Sequence, residues 1–119
     1  MLPLLDLMFG PAIERPKTHD DGVVLDPDEE FTLPMPRRKY LDAARIQLHR
    51  HTNGLWMWSV SFSFTRNGFW SQVGARDGKF AQTREAALHY AVQELLGYCA
   101  EFPNDKIARA TAAWARRLK

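Results

Sequence analysis

Two histidines that stand two residues apart, His49 and His51, come closest in type and spacing to a metal site. Alternate side chains of a β-strand share one face, so both imidazoles could reach the same ion. A metal site in a protein needs three or four ligands, however, and this pair supplies two. Cys99 belongs to an apolar helical stripe, which predicts a buried and unreactive thiol. The sequence therefore predicts neither a metal nor another cofactor.

Catalytic motifs are missing from the sequence. There is no Gly-rich phosphate loop, no His-Glu-x-x-His helix and no nucleophile elbow. The acids Asp42, Asp77 and Glu85 are scattered along the chain and predict no carboxylate pair for acid–base catalysis. We therefore expect a binding protein and not an enzyme.

A polar set of side chains alternates with apolar ones along the predicted strands. Arg and Gln can read base edges, Ser can reach phosphates or bases, and Trp can stack, while a small antiparallel sheet can enter the major groove. A sheet face that meets water or a protein partner is the alternative interpretation. The predicted contacts with duplex DNA or another nucleic acid are Arg45, Gln47, His49, His51, Ser61, Arg66, Trp70, Gln72, Arg76 and Lys79.

The strands that carry this set are punctuated by two Asn-Gly pairs, Asn53-Gly54 and Asn67-Gly68. Asn-Gly between alternating runs is a strong hairpin signal, because both residues tolerate positive φ. The pattern predicts a three-stranded antiparallel meander with strands at about 43–52, 55–66 and 69–75.

The hydrophobic pattern also predicts the register of the two hairpins. A three-residue first turn, with Gly54 in the left-handed conformation, places Leu48 opposite Trp58 and keeps the apolar side chains on one face. For the second hairpin we favour a two-residue turn at Asn67-Gly68, which buries Phe69 and Val73 and leaves Trp70 outside.

Two helices follow the meander. Thr83 is the predicted N-cap of a helix at about 84–101, whose apolar stripe from Ala87 to Cys99 should lie on the sheet. Asn104 is the predicted N-cap of a second helix at about 105–118. The fold class is therefore α+β, a meander with a helix on one face, plus a C-terminal helix and an irregular N-terminal arm.

The arm, residues 1–36, differs in charge from the folded part, residues 37–119. The arm has a net charge of −6 and six of the seven prolines, whereas the rest of the chain has a net charge of +8. Proline fixes φ and removes a donor, so we expect the arm to be extended or irregular. A basic body suggests a polyanionic partner. The arm could be a solvated linker, could fold back on the body, or could contact another protein.

That last use of the arm defines the alternative function, a protein–protein interaction module. Such a module could be an inhibitor or adaptor, encoded by a mobile element or a bacterium, of a larger nucleic-acid-processing complex. Its predicted contacts are an apolar helical face and four acids: Leu5, Met8, Phe9, Asp26, Asp28, Glu29 and Glu30.

Composition and the start of the chain limit the class of protein and its expected cellular location. Hydrophobic residues make up 45% and charged residues 25%, which excludes a collagen-like or wholly disordered chain. The apolar start has no preceding Lys or Arg and no cleavage site, so it does not resemble a signal peptide. No run approaches the length of a membrane span, and one cysteine excludes an internal disulfide. We expect a cytoplasmic protein without a membrane partner; the oligomeric state stays open.

Residues 44–97 resemble the three-strand-plus-helix modules of ethylene-response-type and integrase-arm DNA-binding domains. The resemblance is carried by Gly54-Leu55-Trp56-Met57-Trp58-Ser59-Val60, by Gly68-Phe69-Trp70 and by the stretch from Phe80 to Leu95. In those families the sheet face enters the major groove, so the resemblance implies duplex DNA as the partner. The stretch from Gly78 to Leu96 is also similar to the last strand and helix of double-stranded-RNA-binding domains.

Overall fold

The computed structural model describes residues 22–119, which form an antiparallel sheet and two α-helices. The sheet has the order β1-β2-β3-β4, and β5 pairs with the same edge of β3 as β4 does. The elements are β1 (Glu29–Pro34), β2 (Asp42–Arg50), β3 (Trp56–Ser63), β4 (Gly68–Phe69), β5 (Phe80–Ala81), α1 (Arg84–Ala100) and α2 (Lys106–Ala115). The α+β class, the meander and both helices are therefore confirmed.

The predicted register of the first hairpin is confirmed. Leu48 lies opposite Trp58, and Ile46 lies opposite Val60. Gly54 has a φ of 92° in the turn, and the backbone N–H of His51 donates to the carbonyl of Leu55 at 2.8 Å. A positive φ is costly for residues other than glycine, which explains why the turn needs Gly54.

The main core lies between α1 and one face of the sheet, which we call the helix face (Ile46, Leu48, Val60 and Phe62). Leu88 and Leu95 of α1 are buried against it. α1 begins after Thr83, whose hydroxyl accepts from the backbone N–H of Ala86 at 3.1 Å, as its N-cap position predicts. Burying each such leucine contributes about 1.5–3 kcal/mol, so this layer is the principal source of stability.

The second hairpin differs from the prediction. Its two-residue turn is Thr65-Arg66, because the backbone N–H of Phe64 donates to the carbonyl of Asn67 at 2.7 Å. β4 then pairs for only two residues, and the chain leaves the sheet plane after Phe69. The predicted strand at 69–75 is therefore wrong beyond Phe69. Asn-Gly marked the hairpin but not the position of its turn.

The segment that leaves the sheet crosses the face opposite α1, which we call the polar face (Arg45, Gln47, His49, Ser59 and Ser61). Val73, predicted for the main core, instead forms a small second core with Val24 and Met57. Trp70 lies outside the main core as predicted, whereas Phe69 is 45% exposed and stacks on Tyr98 with 6.2 Å between ring centroids.

β1 is a strand that the sequence analysis did not predict, since residues 1–36 were interpreted as an irregular arm. It pairs along β2, and its side chains alternate, with Phe31 and Leu33 packed against the main core. Pro34 lies at the end of this edge strand, at a shift in register, where a missing N–H donor costs little. The alternation of Phe31 and Leu33 was the overlooked signal.

The N-cap of α2 is Asp105 and not Asn104 as predicted. Its carboxylate accepts from the backbone N–H groups of Ile107 at 2.8 Å and Ala108 at 3.1 Å. The other carboxylate oxygen accepts from the N–H of Thr65 at 2.9 Å. Burial alone raises the pKa of Asp105, but the hydrogen bonds from Ala108 and Thr65 outweigh it and leave the pKa below its ordinary value.

Replacing Asp105 by alanine should lower the free energy of unfolding at neutral pH by about 1–2 kcal/mol, the usual cost of removing an N-cap. A lowered folded-state pKa means that the stabilisation is complete above the unfolded-state pKa and is lost as pH falls through the folded-state pKa. Urea unfolding at neutral and strongly acidic pH measures the difference, which should shrink in acid. An equal difference at both pH values would contradict this role.

No helix within residues 22–119 combines the length and apolar character that a membrane span requires.

Candidate functional site

The polar face of the sheet is covered by two segments of the chain, residues 22–28 and 70–79. Gln47 is 1% exposed and lies at the centre of this cover. Its Nε2 donates to a carboxylate oxygen of Glu30 at 2.7 Å, and its Oε1 accepts from the backbone N–H of Val73 at 3.0 Å. The hydroxyl of Ser59 donates to the same Oε1 at 3.3 Å. Gln47 therefore joins the covering segment 70–79 to β1 and β3 of the sheet.

Ser61 and His49 are also buried by the cover. The backbone N–H of Ser71 donates to the Ser61 hydroxyl at 3.0 Å, and that hydroxyl lies 3.1 Å from the Ser71 carbonyl. The Nδ1 of His49 accepts from the backbone N–H of Asp28 at 3.1 Å. Buried polar groups need such partners, and here distant segments supply them.

The remaining predicted contacts are dispersed. Gln72 donates to the carbonyl of Val24 at 2.6 Å. His51 packs edge-on against Phe80 at the far end of β2, and Lys79 is paired with Glu94. The other four retain exposed atoms: Arg45, Arg66, Trp70 and Arg76.

The expectation that this face is open was therefore wrong. Hydrogen-bonding side chains on alternate strand positions are typical of a solvent-facing sheet. Here they make internal hydrogen bonds to residues far away in the sequence, such as Val73 and Asp28. In this conformation Gln47, His49 and Ser61 have no access to the base edges of a nucleic acid.

The acids of the predicted protein-binding set also make internal contacts, apart from exposed Asp26. Asp28 accepts from the backbone N–H of Arg50 at 2.8 Å. Glu29 forms two hydrogen bonds with Arg84 at 2.7 and 2.8 Å, and chiefly these hold the pKa of Glu29 below its ordinary value. Glu30 accepts from Gln47. The apolar part of this set, Leu5, Met8 and Phe9, lies outside the described residues.

Metal-ligating and thiol groups do not assemble into a site within residues 22–119. No group of three His, Cys, Asp or Glu side chains in that range could hold a metal ion. Cys99 is buried as predicted, and burial raises the pKa of its thiol to about 11. A thiol with this pKa carries almost no thiolate at neutral pH.

An exposed basic surface lies instead at the end of the sheet where the β1–β2 loop and the β3–β4 turn meet. We call it the basic end and define it by Arg37, Arg38, Lys39, Arg66 and Lys106, all of which are exposed. A groove of about 600 Å³ brings its parts together, because Arg37 and Arg38 line it with Lys106. An adjoining groove contains Arg66 and Lys106.

The β1–β2 loop is held in shape by backbone hydrogen bonds. The N–H of Met35 donates to the carbonyl of Leu41 at 2.8 Å and closes the loop. The N–H of Leu41 donates to the carbonyl of Arg38, also at 2.8 Å, which makes Lys39 and Tyr40 the central residues of a tight turn. Tyr40 is consequently 82% exposed at the tip.

The second part of the basic end is fixed by Asp105, which connects the Thr65-Arg66 turn to the start of α2. This contact places Arg66 close to Lys106. Asp105 and Glu101 line the same groove, but the Asp105 carboxylate already accepts three backbone hydrogen bonds. The Asp105 carboxylate, although it lies beside the cations, is therefore occupied by hydrogen bonds that stabilise the fold.

The cations of the basic end also differ from other cations in their pairing. Among residues 22–119, none of the five lies within ion-pair distance of a carboxylate. By contrast, Arg84 lies 2.7 Å from Glu29, and Lys79 lies 2.8 Å from Glu94. Unpaired cations grouped at one end give a positive potential that attracts anions.

The predicted nucleic-acid contacts did not include the Arg37-Arg38-Lys39 run. The missing information was β1, because without that strand the run seemed to open the folded domain. Once β1 pairs with β2, the run becomes the exposed loop of a hairpin. Three successive cations followed by a tyrosine were the available signal.

Comparisons of this chain with protein-family models, with curated proteins and with solved structures found no match.

Proposed function

We propose that this chain is a small, non-enzymatic nucleic-acid-binding protein whose contact surface is the basic end. One observation carries the proposal: five exposed cations share one end of the sheet, and none of them has a carboxylate partner within residues 22–119. Phosphate contacts from Lys and Arg supply most of the affinity of non-specific nucleic-acid binding.

Geometry supports this choice of surface over the polar face of the sheet. The loop that carries Arg37 and Arg38 is closed by the Met35–Leu41 hydrogen bond, so its cations project from an ordered turn. Ordering the contact residues beforehand reduces the entropy lost on binding. The proposed partner is still nucleic acid, as in the sequence analysis, but the proposed contact surface is the basic end and not the polar face.

The double replacement Arg37→Ala/Arg38→Ala tests this proposal. We expect it to weaken nucleic-acid binding about tenfold or more at low salt, because two phosphate contacts and their counterion release are lost. Fluorescence anisotropy with labelled oligonucleotides of about 25 bases, single-stranded and duplex, provides the measurement. The slope of log affinity against log salt should become shallower by about 1.4–1.8 for two lost contacts.

A matched control removes two cations at the other end of the sheet. The double variant Arg50→Ala/Arg117→Ala changes the net charge by the same amount. Arg50 is the last residue of β2. Arg117 lies two residues before Lys119, whose carbonyl contacts Arg84 at the start of α1. Both side chains are exposed, and binding should change by less than about twofold. Equal losses in the two double variants would contradict a localised surface. Absence of binding by the unaltered protein at low salt would overturn the proposal.

A further inference from the structure

Exposed aromatic side chains accompany the cations at this end of the molecule. Tyr40 is 82% exposed at the tip of the β1–β2 loop, directly after three cations. Trp70 is 47% exposed and follows β4, four residues after Arg66. Exposed tyrosine and tryptophan offer flat apolar surface beside positive charge, a combination that suits nucleobases.

Arg45 extends this surface from the loop to Trp70. Its guanidinium carbon lies 5.0 Å from the centre of the Trp70 ring, and its Nη2 donates to the carbonyl of Ser71 at 2.9 Å. Arg45 is the fourth residue of β2, so its Cα lies about 10 Å from the strand's start beside the loop. Within residues 22–119 it has no carboxylate within ion-pair distance.

Two acids limit the direction in which a polyanion can run. Asp26 and Glu30 line the opening beside Arg45, together with Gln72. Phosphates there would be repelled by these carboxylates. The favourable path for a nucleic-acid backbone therefore runs from Arg45 and Trp70 toward the basic end.

Duplex DNA makes poor use of such a surface. Reading a major groove requires a helix or a strand pair that inserts its side chains, whereas the polar face of this sheet is covered and the exposed aromatic of the loop stands on a turn. In a duplex the base faces are already stacked on one another. In a single strand every base presents a face on which an aromatic ring can stack, whatever the sequence.

We propose that the basic end binds single-stranded nucleic acid, with Tyr40 and Trp70 stacking on unpaired bases beside phosphates held by the cations. This inference rests on the proposed function and specifies its ligand class. Stacking and phosphate contacts are common to single-stranded DNA and RNA, so the chemistry applies to both.

Anisotropy titrations of the full chain with one mixed sequence, as single-stranded DNA, single-stranded RNA and duplex DNA, test the inference. We expect at least one single strand to bind about tenfold or more tightly than the duplex. Tyr40→Leu should weaken single-strand binding by about 5- to 100-fold and leave duplex binding nearly unchanged. Tyr90→Leu, which removes an exposed aromatic from α1, is the matched control.

Trp70→Leu gives a second readout, with a thermal melt to confirm folding because the Trp70 ring contacts Arg45. Equal affinity for single strand and duplex, or unchanged single-strand binding by Tyr40→Leu, would overturn this inference. If Arg37→Ala/Arg38→Ala still weakened binding in that case, the proposed function would stand alone. If no oligonucleotide bound at low salt, both would fail. The tighter of the two single strands identifies the natural source.

Discussion

Replacing Gln47 by alanine should lower the free energy of unfolding by about 2–4 kcal/mol, because several buried polar groups would lose their partner together. The backbone N–H of Val73 and the hydroxyl of Ser59 both depend on its Oε1. Gln47 is also a predicted base-reading residue, so the variant separates a structural role from a binding role. Urea unfolding followed by circular dichroism measures the change.

Gln93→Ala is the matched control, since Gln93 is an exposed residue of α1. Alanine is a good helix former, so this change should alter the free energy of unfolding by no more than about 0.5 kcal/mol. A Gln47→Ala protein with unchanged stability and weakened nucleic-acid binding would show that the polar face is a contact surface after all.

The second large effect is expected at Gly74, where the two covering segments meet. Val23 bridges to Gly74, and an added Cβ would lie 2.3 Å from the carbonyl oxygen of Gly22 and 2.9 Å from the Cα of Val23. Both are backbone atoms, so relief requires the segments to separate. Gly74→Ala should therefore destabilise the fold by about 2–4 kcal/mol through lost packing of Val24 and lost hydrogen bonds.

Gly97 offers the opposite outcome in the same experiment. It lies within α1, and an added Cβ there meets nothing within 4 Å. Gly97→Ala should raise the free energy of unfolding by up to about 1 kcal/mol, because glycine is a poor helix former. Thermal and urea unfolding of both variants would measure the contrast. A Gly74→Ala protein as stable as the parent chain would contradict the tight contact between the segments.

The parts of the fold that the sequence predicts are those set by local periodicity. Trp58 and Val60 share a face because strand side chains alternate, and their pairing with Leu48 and Ile46 keeps polar groups out of the main core. Thr83 and the leucine stripe of α1 follow from capping and helical spacing in the same way.

The parts that it misses depend on distant contacts. Nothing local to Gln47 indicates that Val73, 26 residues later, will donate to it. The prolines and acids of residues 1–36 led to the prediction of an irregular arm, so β1 was missed. Pro34 is nevertheless acceptable at the end of an edge strand. For this reason the candidate binding surface is the basic end and not the polar face. The covering segments bury Gln47 and Ser61. The pairing of β1 with β2 places Arg37 and Arg38 in an exposed loop.

Whether the basic end contacts nucleic acid is tested directly by mapping amide shifts in the nitrogen–proton correlation spectrum of labelled protein while a short single-stranded oligonucleotide is added. We expect the largest shifts on residues 37–41, on Arg66 and on Trp70. The shifts should diminish as salt is added, because the release of counterions from the nucleic acid then contributes less free energy to binding. Large shifts confined to α1 or to Asp26–Glu30, or none at any concentration of oligonucleotide, would contradict the assignment of the basic end as the nucleic-acid-binding surface.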